Sequence, residues 1–208
     1  MRSNSKEGEG MKIDVRIPFR PGGKLGEEYN YIMNETKCEW VLFLDHDLFL
    51  CNPHWYLLCQ EAIKGYAAQG RAGMFTCWTN RLGRTMQRDG NAPQDDILFN
   101  HIEYARSVFE KYQFQCTNIP ERISGMFLLI NKTAWKTVGG FPGIGIFKED
   151  WDFSRNLLKH KFKIYRIDGL YVYHLRDRKR GSWIKGIQTT KELRDIRMAG
   201  KDARKKVK

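Results

Sequence analysis

Apolar and polar positions along the chain follow two rhythms. Ile13-Asp14-Val15-Arg16-Ile17-Pro18-Phe19 alternates with period two and predicts a strand. Leu25, Tyr29, Ile32 and Met33 then recur at helical spacing, predicting a helix from about Gly26 to Thr36. Trp40-Val41-Leu42-Phe43-Leu44 is wholly apolar, which marks a strand buried on both faces of a helix-covered sheet. Strand, helix, strand makes a parallel crossover unit. Beyond it, Asn52 is expected to cap a helix with Pro53 at its first position, and Trp55, Leu58, Cys59 and Ala62 line one face to about Ala68. Ala72–Thr79 reads as a strand and Asn80–Asp96 as a long polar loop. A helix follows with Leu98, Ile102, Ala105, Phe109 and Tyr112 on its buried face. Ile123–Ile130 is a further strand containing Gly125, and Lys132–Val138 a short helix broken by Gly139-Gly140. Glu149 opens a helix to about His160, and Lys163–Ile167 and Leu170–Tyr173 are strands around an Asp168-Gly169 turn, ended by His174. The pattern predicts an α/β chain: a mixed, mostly parallel Rossmann-type sheet flanked by helices, in a single domain.

Composition narrows this picture. With 208 residues, 41% hydrophobic and 13% aromatic, the chain can bury one good core. Its apolar runs are too short to cross a bilayer, and no secretory leader is expected. Five cysteines with no C-x-x-C pair argue for small core residues in a reducing, cytoplasmic setting, against a disulfide framework or zinc site. The net charge of +12 is uneven: residues 176–208 hold thirteen Lys/Arg against four Asp/Glu. That basic segment fits an anionic partner (phospholipid headgroups, nucleic acid or a diphosphate) or a solvated tail with none. The expected division is a flexible lead over 1–10, a catalytic domain over 11–176, and a basic tail, lid or helix over 177–208.

Candidate chemistry sits at the ends of the predicted elements. Asp45 and Asp47 follow the apolar strand; acids at i and i+2 of an extended segment point the same way and can share one hard cation. In open α/β sheets the ligand crevice lies outside the carboxyl ends of the strands, where this pair would stand. Glu149, Asp150 and Asp152 open a helix, where acids also have a purely structural place. His174 and Arg176 end the last strand.

Together these residues resemble the family 2-type glycosyltransferases of the GT-A fold. The matching pieces are Leu25-Gly26-x-x-x-Asn30, Trp40–Leu44 with Asp45-His46-Asp47, Ser124–Ile130, Gly139-Gly140-Phe141, Glu149-Asp150-Trp151-Asp152 and Val172-Tyr173-His174-Leu175-Arg176, in the family's order. The resemblance implies transfer of a sugar from a nucleoside diphosphate, by default UDP, to an acceptor hydroxyl with inversion. It implies Mn²⁺ or Mg²⁺ held by Asp45, Asp47 and His174, with Asp45 also reaching the donor's ribose. Asp150 is the implied general base and Glu149 a holder of sugar hydroxyls. Arg176, Lys179 and Arg180 are candidates to clamp the diphosphate, with Gly181 and Trp183 as a lid, and Gly125 to admit the donor. A usual member opens with a strand, a helix and a second strand that bind the nucleobase; here only Met11–Lys24 precede the Leu25 helix. Either Ile13–Phe19 doubles as that strand or that half is missing, and Asp14, Pro18 and Arg20 are the nearest candidates to meet a base. The acceptor is a glycan, a lipid-linked glycan at a membrane periphery, or a modified base in DNA. Two rival readings stand beside this one. A metal-dependent nucleotidyltransferase would use Arg20–Lys24 as its phosphate loop, and a non-catalytic sugar-nucleotide or anionic-polymer binder would need no base.

Overall fold

The computed structural model of the chain describes residues 11–19, 24–67, 70–82, 86–142 and 149–175. In order these form β1 (Ile13–Arg16), α1 (Leu25–Glu35), β2 (Trp40–Leu44), β3 (Leu48–Phe49), α2 (Trp55–Ala62), a π-helical turn (Ile63–Ala67), β4 (Ala72–Thr79), α3 (Leu98–Tyr112), β5 (Cys116–Asn118), β6 (Phe127–Asn131), α4 (Lys132–Thr137), α5 (Glu149–Lys159) and β7 (Lys163–His174). Residues up to His174 make one compact unit; the second, Leu175–Lys208, lies outside the described residues except for Leu175.

The seven strands form one mixed sheet in the order β1-β2-β6-β4-β7-β3, with β5 also against β7. β1, β2, β4 and β7 run one way; β3, β5 and β6 oppose them. β2 is buried throughout because its residues alternate between two packed layers. Trp40, Leu42 and Leu44 meet Leu58, Cys59 and Ala62 of α2. Val41 and Phe43 meet Tyr29 and Met33 of α1, Ala134 and Trp135 of α4, and Phe153 and Leu157 of α5. At roughly 2 kcal/mol for each large side chain removed from water, the five together contribute on the order of 10 kcal/mol to anchoring this strand. All five cysteines are free, three of them buried, as small core residues are expected to be.

Several local expectations are corrected. The first strand stops at Arg16, short of Phe19, since Pro18 has no N–H for a ladder. Asn52 spends its side chain on a turn, accepting from the His54 N–H at 2.8 Å, so the helix starts later, at Trp55, with Pro53 outside it. α3 is rotated from the expected face: His101, Ala105 and Val108 are buried, while Leu98 and Ile102 are exposed. His101 goes inward because both ring nitrogens find partners, Tyr171 Oη at 2.7 Å and Asp95 O at 3.0 Å, and its ring stacks 3.8 Å from Tyr173. β6 begins at Phe127, not Ile123, because the Gln87 side chain takes both backbone groups of Ser124. Gly125 therefore lies in a turn, not a strand. The last two expected strands are one, β7, which bulges at Asp168-Gly169 without turning back. Asp168 is held by Arg166 and Thr117, and a Cβ on Gly169 would stand 1.8 Å from Gln113 O. β3 and β5, of two and three residues, were not expected.

Candidate functional site

Four strands of like direction bring their carboxyl ends to one edge of the sheet. Asp45 leaves β2 and donates its N–H to Met126 O at 2.9 Å, just ahead of β6. The chain then turns through His46 and Asp47 and reverses as β3. That short strand pairs antiparallel with the end of β7, Leu48 opposite His174 and Phe49 opposite Tyr173. The reversal carries Asp47 to the imidazole: His174 Nε2 lies 3.3 Å from Asp47 Oδ1. Among the described residues, Asp45, Asp47 and His174 offer one ligand atom each, all within 4.8 Å of one another.

The tautomer of His174 follows from its other contact. Nδ1 lies 3.0 Å from Arg81 O, and a carbonyl can only accept, so Nδ1 carries a proton. A neutral His174 then turns the Nε2 lone pair toward two carboxylates, an arrangement that a cation stabilises; a protonated one donates to Asp47. Metal-binding histidines are held in this way, by an acceptor on the second nitrogen. Asn80 Oδ1 accepts the backbone N–H of His174 at 3.0 Å, so ring and main chain are both fixed.

The two acids differ. Burial pushes the Asp45 carboxyl up to about 6; the charges of Asp47 and Asp150 add to this, while His174 and His46 oppose it. Burial also pulls Asp47 upward, but the hydrogen bond and charge of His174, with that of His46, hold it below the usual carboxylate range.

Asp150 and Glu149 open α5 near this edge. A Cβ on Gly125 would stand 3.0 Å from Asp150 Cβ and 3.3 Å from its Oδ2, so Gly125 makes room for this carboxylate. Glu149 is 5% exposed and packs on Gly26, where a Cβ would meet its Cγ at 2.9 Å. Buried Tyr29 lies among these acids; burial, then the charges of Asp45, Asp150 and Glu149, push its phenol up. Asp152 instead pairs with Arg155 at 2.8 Å on the helix surface. Trp151 is half-buried with the Arg122 guanidinium over its ring.

Pro18 lies two residues past the end of β1 and Asp45 one past the end of β2; with Arg16 opposite Phe43, the two strand ends leave the sheet side by side. Asp14 is already paired with Arg16 at 2.7 Å. Arg20, Arg176, Lys179, Arg180, Gly181 and Trp183 lie outside the described residues. Asn80, Arg81 and Gln87 were not singled out as site residues. The visible signal was only that Asn80 and Arg81 follow a strand directed at this edge. Among the described residues no helix is long and apolar enough to cross a membrane.

No family model matches the chain, and no curated protein does. Among solved structures it is similar to residues 1–349 of TarS from S. aureus, with a TM-score of 0.45 and 18% sequence identity. The likeness covers 74% of this chain, which spans 40% of that one.

Proposed function

We propose that the chain is a metal-dependent inverting glycosyltransferase, moving a sugar from a nucleoside diphosphate, by default UDP, to an acceptor hydroxyl. The observation that carries this reading is the convergence of Asp45, Asp47 and a tautomer-fixed His174, which lies 127 positions from Asp47 and 129 from Asp45 along the chain. The sequence resemblance supports it further. Two carboxylate oxygens and one imidazole nitrogen suit Mn²⁺, and the oxygens suit Mg²⁺. A divalent ion bound there would supply Lewis-acid neutralisation of the departing diphosphate.

The chain's own residues do the rest. Asp150 takes the proton of the acceptor hydroxyl as its oxygen bonds to the anomeric carbon and the bond to the phosphate oxygen breaks on the opposite side. The carbon inverts, and the proton ends on Asp150. Glu149 holds sugar hydroxyls beside it, and Gly125 keeps space for the Asp150 carboxylate. Asp45 reaches toward the donor's ribose as well as the cation.

The test is a panel of nucleoside-diphosphate sugars screened by thermal shift with and without Mn²⁺, followed by transfer assays with glycan acceptors. Expected are a shift that needs donor and metal together, its loss in Asp47→Ala, and its retention without transfer in Asp150→Asn. Normal transfer by Asp150→Asn would remove the base assignment. Joint binding with no transfer by the wild type would leave a sugar-nucleotide binder.

A further inference from the structure

We infer that Arg81 is a positioning residue, whose side chain is anchored to Gln94, Asp95 and Asp96 so that its own carbonyl aims His174 Nε2 at Asp45 and Asp47. This rests on the cation reading above.

Arg81 acts in two directions. Through the main chain its carbonyl accepts the Nδ1–H of His174 at 3.0 Å, and Asn80 just before it accepts the His174 backbone N–H at 3.0 Å. Through the side chain it reaches the far end of the loop. The guanidinium pairs with Asp96 Oδ1 at 2.6 Å and donates to Gln94 O at 2.6 Å and Asp95 O at 3.1 Å. Asp96 Oδ1 also accepts from Tyr173 Oη at 2.8 Å, and the guanidinium lies 5.9 Å from the centre of the Tyr173 ring. One residue thereby ties the start of the loop to its end, and both to the strand residue before His174.

The Arg81 side chain is only 14% exposed, unlike a solvated surface charge. Its fork of five donors serves a carboxylate and two carbonyls at once, which a lysine ammonium cannot do with the same fixed geometry. Other bonds hold residues 86–89 to the sheet, among them Asp89 N–H to Thr79 O and Arg166 to Met86 O. Among the described residues, however, only the Arg81 side chain joins residue 81 to residues 94–96; without it the residue 81 carbonyl is free to shift. The imidazole then loses the acceptor that selects its tautomer and can present an N–H where a lone pair is needed. Groups that orient a metal-binding histidine in this way are typically worth about 10- to 100-fold in metal affinity.

The experiment titrates Mn²⁺ into the full chain by calorimetry for wild type, Arg81→Ala, Arg81→Lys and Arg88→Ala. Thermal midpoints in EDTA and ¹⁵N spectra of histidine-labelled protein are recorded for each, with the His174 signals assigned through His174→Gln. Expected is an affinity loss of about 10- to 100-fold in Arg81→Ala. Arg81→Lys, which keeps the Asp96 ion pair, falls between. Arg88→Ala, which removes the same charge from an exposed position in the same loop, binds as wild type does. The Nδ1–H signature of His174 becomes mixed in Arg81→Ala, partly so in Arg81→Lys, and stays unmixed in Arg88→Ala. A fall in thermal midpoint with unchanged Mn²⁺ affinity, or an affinity loss with the tautomer unchanged, overturns the inference. If the wild type does not bind Mn²⁺ at all, the cation reading fails instead, and the ¹⁵N signature still decides the role of Arg81.

Discussion

Asp45→Asn is expected to make the metal-free protein more stable at neutral pH while destroying its response to metal. The Asp45 carboxyl rises from an ordinary 3.8 to about 6 on folding, chiefly through burial. A group that holds its proton more tightly when folded gives its full stability below pH 3.8 and loses it as the pH rises through about 6. A rise of about two pK units, at 1.36 kcal/mol per unit, makes the charged form cost the fold about 3 kcal/mol at pH 7.5. Asparagine keeps the shape and removes that cost. Asp47 runs the other way, its lowered carboxyl affecting stability only below 3.8, so the two windows do not overlap. The assay is urea unfolding in EDTA from pH 3.5 to 8 for both proteins. Their stabilities should coincide near pH 3.5 and diverge above 5, with the variant ahead. Mn²⁺ at 100 times its dissociation constant should add about 2.7 kcal/mol to the wild type and nothing to the variant. An Asn variant less stable than wild type in EDTA at pH 7.5, or a gap that persists unchanged at pH 3.5, would refute the burial argument.

Other substitutions probe the frame around the site. Gly125→Ala puts a Cβ 3.0 Å from that of Asp150, so the protein should fold and keep its metal-dependent donor shift while transfer drops more than about tenfold, measured as initial rate. Gly169→Ala meets a backbone oxygen at 1.8 Å and should cost more than about 4 kcal/mol, seen as lost soluble yield or a collapsed urea midpoint. Asn30 bonds Phe141 O, Phe141 N and Trp135 Nε1, all at 2.8–2.9 Å; Asn30→Ala should cost about 3 kcal/mol by the same unfolding assay. Chelation of a metal-loaded sample should return the wild-type midpoint to its EDTA value, and Mg²⁺ or Mn²⁺ should restore it.

What sequence could reveal depended on element length. Trp40–Leu44 was legible because five apolar residues in a row have few other homes than a doubly covered strand, and the acids after it inherit its position. The helices opened by Leu25 and Glu149 were legible through several turns of periodicity. β3 was not, since two residues carry no period, yet its pairing with β7 is what brings Asp47 to His174. The face of α3 was misjudged for a different reason. Leu98 and Ile102 outrank His101 in hydrophobicity, but only the histidine meets Tyr171 and the Asp95 carbonyl. Gly169 looked like a hairpin turn because Asp-Gly commonly is one; here the missing side chain admits the neighbouring Gln113 backbone.

The antiparallel pairing of β3 with the tail end of β7 also sets an order of events in the cell. A ribosome delivers Asp45 and Asp47 many seconds before it delivers His174, at about 5–20 residues per second. Until that last strand emerges and docks beside Leu48 and Phe49, the early carboxylates have no imidazole across from them. Until then a nascent chain lacks one of the three groups of the candidate site, and a cation captured early would be held without His174.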